Sequence, residues 1–199
     1  MLKIQRLPLV LLFAVISLGL YANANGQQNA DAPQGSVDVR IYLISSDSPG
    51  PGTPVPAELR AVANELAKTS GESVRPSVAA SFMARAAPGS SVEGRGFLQL
   101  LETAPVSSLD WRIGKLTAEG TGTAAVRYIL QSSRFSLRIP ISLAKQGNDE
   151  GDAAFVFDAA SFSSTRSELR AGVPAVMGSI LLARPKRNLH VVAIVSPLN

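Results

Sequence analysis

Phe135, Leu137, Ile139, Ile141 and Leu143 alternate with Ser136, Arg138, Pro140 and Ser142. In an extended chain successive side chains point to opposite sides, so this period of two gathers five large apolar groups on one face. A helix would scatter the same residues around its circumference. The pattern recurs in Val37, Val39, Ile41 and Leu43, and in Val78, Ala80, Phe82, Ala84 and Ala86. Leu109, Trp111 and Ile113 alternate against Asp110 and Arg112, and Val126, Tyr128 and Leu130 against Arg127. Segments 97–101, 153–157, 173–183 and 189–196 complete a set of strands. Strict alternation belongs to antiparallel sheets with one wet face. Pro140 has no N–H to give to a ladder, which predicts an edge or a bulge in its strand.

One segment breaks the rule of two. Leu59, Val62, Ala63 and Leu66 recur at i, i+3, i+4 and i+7, a single apolar stripe on a helix spanning about 57–69. Pro54 or Pro56 suits its first turn, Glu58 and Lys68 oppose the helix dipole, and Ser70-Gly71 ends it. Arg60, Asn64, Glu65 and Lys68 make the polar face. The expected fold is α+β and strand-rich: one or more mostly antiparallel sheets, or a sandwich, with this amphipathic helix packed on a sheet.

The amino end reads as an address. Lys3 and Arg6 precede the apolar run Leu7–Leu20, and Ala22-Asn23-Ala24 supplies small residues where a signal peptidase cuts. About 14 apolar residues fall short of the roughly 20 that a membrane-spanning helix needs. Cleavage is expected after Ala24, with no transmembrane segment left behind. Residues 25–36 read as a flexible lead and 37–199 as one β-rich domain, with a weak sub-boundary near Pro105. Without Lys3 and Arg6 the chain holds 17 Lys/Arg against 15 Asp/Glu, and arginine outnumbers lysine 14 to 5 overall. It has no cysteine and no Asn-x-Ser/Thr sequon. An exported chain that folds without disulfides fits a bacterial periplasm or the extracellular space, and no lipobox cysteine is present to anchor it.

Residue inventory narrows the chemistry. Thiol nucleophiles and thiolate metal sites are excluded, and His190 is the sole histidine. His190 points away from Leu189 and Val191 and reads as a solvent-facing or hydrogen-bonded strand residue. Ser142 and Lys145 have the Ser-x-x-Lys spacing, but on a strand i and i+3 diverge. Glu119-Gly120-Thr121-Gly122-Thr123 reads as a hairpin turn, and Asn148, Asp149, Glu150 and Asp152 as an acidic exposed turn. No cofactor or metal is expected. Arg127, Arg134 and Arg138 are expected on an outer sheet face, and Arg184, Lys186 and Arg187 crowd a hairpin loop. These six are the candidate contacts for an acidic partner. Nucleic acid is disfavoured by the near-neutral charge and the exported address.

Phe162-Ser163-Ser164-Thr165, followed by Leu169-Arg170-Ala171-Gly172-Val173-Pro174-Ala175-Val176-Met177-Gly178-Ser179, has a glycine turn leading into a short apolar strand that ends in glycine. This cadence resembles the closing strands of bacterial secretin-type envelope proteins, over about 35 residues. The acidic residue that often precedes the first glycine there is Ala171 here. The resemblance implies an envelope structural protein and carries over no site residues. The expected function is an exported, periplasmic, non-enzymatic protein that binds an envelope protein partner, self-associates, or joins an envelope assembly. The alternative is a small-ligand carrier or a carboxylate-based hydrolase. Its acids would be drawn from Asp110, Glu119 and Asp158, two of them about 5–9 Å apart in a deep apolar pocket.

Overall fold

β1 (Val37–Ser45) buries Val37, Val39, Ile41 and Leu43 on one face, as their spacing requires. After a short 3-10 turn (Ala57–Leu59) comes α1 (Arg60–Ser70). There follow β2 (Ser77–Ala86), β3 (Val92–Leu98), β4 (Ser107–Ile113), β5 (Leu116–Glu119), β6 (Arg127–Leu130) and β7 (Ser133–Ser142). β8 (Phe155–Ser164), β9 (Ser167–Arg170), β10 (Ala175–Leu182) and β11 (Arg187–Pro197) complete the order. This computed structural model describes residues 35–46, 53–70, 75–100, 105–120, 126–142, 155–183 and 187–198, all within the unit Pro33–Asn199. The expected signal peptide, its cleavage site and nearly all of the lead lie outside the described residues, as do Lys145, the acidic turn 147–152, Arg184 and Lys186.

The strands form three antiparallel sheets: sheet I in the order β10-β11-β1-β2, sheet II in the order β3-β4-β7-β8, and sheet III in the order β5-β6-β9. Among the described residues the fold is α+β and strand-dominated, with one short helix packed against sheet I. Sheets I and II bury their inner faces in one core. Ile41 and Leu43 of β1 and Val191 and Val195 of β11 share it with Leu109 and Trp111 of β4 and Phe135 and Leu137 of β7.

Sheet I is covered on its second face only in part, leaving Met83 of β2 and Leu181 of β10 exposed there. Leu59 and Leu66 pack on Ile44, Val78, Val192 and Ile194, on the side away from the main core. Burying each leucine contributes about 2 kcal/mol. This second cover explains why β11 is apolar from Val191 to Val195 without alternation. Glu58, one residue before Leu59, accepts a 2.6 Å hydrogen bond from the Tyr42 hydroxyl and pairs with Arg40 at 3.3 Å, pinning the start of the helix to β1.

Sheet III continues three of the four strands of sheet II, β4, β7 and β8. Ile113 faces Ser133 and Leu116 faces Leu130, so β4 runs into β5 and β6 into β7 without an inserted residue. Ser133 faces Ser164 and Leu130 faces Ser167, so β8 runs into β9 in the same register. Between the stretches, Gly114 N–H donates to the Ser132 carbonyl at 2.7 Å and Gln131 N–H to the Lys115 carbonyl at 3.0 Å. Yet the inward positions change from odd to even along β4–β5: Leu109, Trp111 and Ile113, then Leu116. They likewise pass from Tyr128 and Leu130 to Phe135 and Leu137 along β6–β7. The ribbon rolls over at this bend.

Several expectations shift. The strand expected at 97–101 starts at Val92, because Gly94 and Gly96 take inward positions and hide the alternation. β5 and β9 were not anticipated, since the roll breaks the period there. β7 is interior to sheet II, not an edge. Its pairing with β4 ends at Arg138, though, so Pro140 has a strand neighbour only in β8.

Candidate functional site

The outer face of sheet II is open to solvent, and its register arranges side chains in rows across β3, β4, β7 and β8. Glu93, Arg112, Arg134 and Ser163 form one row. Arg95, Asp110, Ser136 and Ser161 form the next, followed by Phe97, Ser108, Arg138 and Ala159. Each side chain is there because the apolar residues between them, Leu109, Trp111, Phe135 and Leu137, turn inward to the core. Among the described residues the face thus holds four arginines against two carboxylates, over a shallow depression of about 630 Å³. At its far end the rows become apolar, with Phe157 opposite Pro140 and both Phe97 and Phe157 exposed.

The charges are unevenly matched. Arg95 Nε donates to Asp110 Oδ1 at 2.5 Å, and this hydrogen bond, with the carboxylate charge, raises the arginine's pKa above its usual value. Arg112 Nε lies 3.9 Å from Glu93 Oε2, a contact of charge without a hydrogen bond. Arg134 and Arg138 have no carboxylate within ion-pair reach among the described residues. They stand on one strand four residues apart, about 14 Å along it at 3.4 Å per residue.

The candidate contacts separate. Arg134 and Arg138 share the face as expected. Arg127 lies in sheet III, where its guanidinium donates to Glu168 at 3.0 Å. Arg187 is only 7% exposed, and its Nη1 donates to the Leu100 carbonyl at 2.8 Å, a structural use. Arg95 and Arg112 were missed as site residues. The signal for both was present: Asp110 and Arg112 alternate with the core residues of β4, and Arg95 sits between two glycines.

The candidate acids do not converge. Asp110 is on this outer face bound to Arg95, Glu119 ends β5 in sheet III, and Asp158 lies on β8 with its Oδ1 accepting the Ala159 N–H at 2.9 Å. His190 is buried, with Nε2 2.9 Å from the Ser46 hydroxyl. Among the described residues no group of three or more His, Cys, Asp or Glu could hold a metal ion, and no helix is long and apolar enough to cross a membrane. No family model, curated protein or solved structure matches this chain.

Proposed function

We propose that the chain is an exported bacterial envelope protein, without a reaction of its own, that docks an anionic envelope partner on the outer face of sheet II. The observation that carries this is the arginine surplus on that face, with Arg134 and Arg138 lacking carboxylate partners among the described residues. Guanidinium groups are planar, always charged and suited to bidentate contacts with carboxylate or phosphate. The expected export signal and the secretin-like cadence of Leu169–Ser179 point to the same compartment. The carrier or hydrolase alternative needs acids converging in a deep apolar pocket, whereas this depression is open and arginine-lined.

Retention on immobilised polyglutamate at low salt tests the proposal. The wild-type chain should be held and the double variant R134Q/R138Q should elute early, because both lost charges sit on the face. Equal retention of the two proteins would sink it.

A further inference from the structure

At the bend between sheets II and III the arginine face ends in a second depression, of about 480 Å³, lined among others by Arg112, Arg134, Gln131, Ser132, Ser163 and Thr165. Arg112 and Arg134 stand directly opposite each other in the ladder. Like charges in that position repel and destabilise a sheet. The carboxylate within reach of Arg112 is Glu93, at 3.9 Å, and Arg134 has none among the described residues. Ser163 is opposite Arg134 on β8. Ser132 lies over Gly114, so close that a β-carbon on that glycine would sit 2.2 Å from the serine oxygen. Gly114 thereby leaves room for a hydroxyl beside the two guanidinium groups.

Two arginines opposite each other in the ladder, sharing this lining with the hydroxyl residues Ser132, Ser163 and Thr165, offer more donors, and more positive charge, than one carboxylate can use. A carboxylate has one charge and two oxygens. A phosphate monoester brings about two negative charges and three terminal oxygens. We infer that this notch binds a phosphate monoester group borne by an envelope glycan or lipid headgroup. The inference rests on the proposed anionic-partner face and names the group that face receives at the bend.

The test is a titration of the purified chain, at low salt, with inorganic phosphate, glucose 6-phosphate and vesicles containing phosphatidate. It is followed by the NMR resonances of Arg112, Ser132, Arg134 and Ser163. Saturable shifts confined to the notch are expected, with about tenfold weaker binding in Arg134→Gln from the loss of charge-assisted hydrogen bonds. Arg60→Gln, on the polar face of α1, should bind as the wild type does. Tighter binding of glucose 6-phosphate than of inorganic phosphate assigns the group to a glycan, and tighter binding of the vesicles assigns it to a lipid. Acetate acting at the same midpoint as phosphate, or an Arg134→Gln protein that binds unchanged, overturns the inference. If polyglutamate retention still depends on Arg134 and Arg138, the failure is confined to the phosphate group. If that dependence is absent too, the underlying docking face fails with it.

Discussion

The ring of Phe82 on β2 lies over Gly96 on β3, so that a β-carbon added to Gly96 would stand 1.8 Å from Phe82 Cε1. Phe162 on β8 covers Gly178 on β10 in the same way, at 2.2 Å. β2 meets β3, and β8 meets β10, where sheets I and II come together without a hydrogen-bonded ladder. Both seams are closed by an aromatic ring seated on bare backbone.

Gly96→Ala should therefore destabilise the protein by about 2 kcal/mol, the usual range for forcing an extra carbon into a filled site. Urea denaturation measures this. Adding Phe82→Leu should recover part of the loss, because the smaller side chain vacates the clash. A Gly96→Ala protein as stable as wild type would show that the seam is loose.

Tyr128 is fully buried, its hydroxyl has no hydrogen-bond partner among the described residues, and burial raises its phenol pKa. The Tyr42 phenol is raised as well, by burial first and then by its hydrogen bond to Glu58. A raised phenol pKa favours the neutral folded form. Its contribution is complete below the unfolded value of about 10 and is lost as pH climbs through the folded value. Calorimetry should show the melting temperature falling above about pH 10. Tyr128→Phe should flatten part of that fall. At neutral pH it should raise the melting temperature, since an unpaired buried hydroxyl costs about 1 kcal/mol or more. A lower melting temperature at neutral pH would mean the hydroxyl has a partner.

Glu58 ties the start of α1 to Tyr42 and Arg40 of β1. Glu58→Ala should cost about 1 kcal/mol, as expected for a charge-assisted hydrogen bond at the surface. Amide exchange should accelerate in α1 more than in β7. Uniform acceleration across both elements would show that the helix has no local anchor there.

Arg187→Met should cost about 2 kcal/mol, because it leaves the Leu100 carbonyl without its buried donor. Arg127→Gln should change stability by less than about 0.5 kcal/mol, as is usual for an exposed ion pair. It should also leave polyglutamate retention unchanged. Thermal denaturation and the same column separate these two arginines from Arg134 and Arg138.

Sequence alone was enough wherever local periodicity and tertiary burial agree. β1, β7 and the stripe Leu59, Val62, Ala63 and Leu66 are legible for that reason. β3 is obscured because its inward positions at Gly94 and Gly96 are filled by rings from other strands, Trp111 and Phe82. β5 and β9 are hidden by the change of facing between Ile113 and Leu116. On the candidate face, Arg134 and Arg138 follow from the alternation of β7. The inward turn of Arg187 does not, because its partner Leu100 is 87 residues away in sequence. Nor can charge patterning show that Arg127 meets Glu168, since strand order decides it.

The bend imposes a counting rule on the chain. Three strands cross it in one shared register, with their facing reversed on the far side. Deleting Lys115 alone would turn Leu116 and Ala118 outward relative to β6, while Tyr128 and Leu130 stayed inward. Chain length there can change without penalty only if all three strands change together. The connection between β5 and β6, beyond the last paired residues Glu119 and Arg127, is free of that rule. Length variation between relatives of this protein should collect in that connection and stop at the bend.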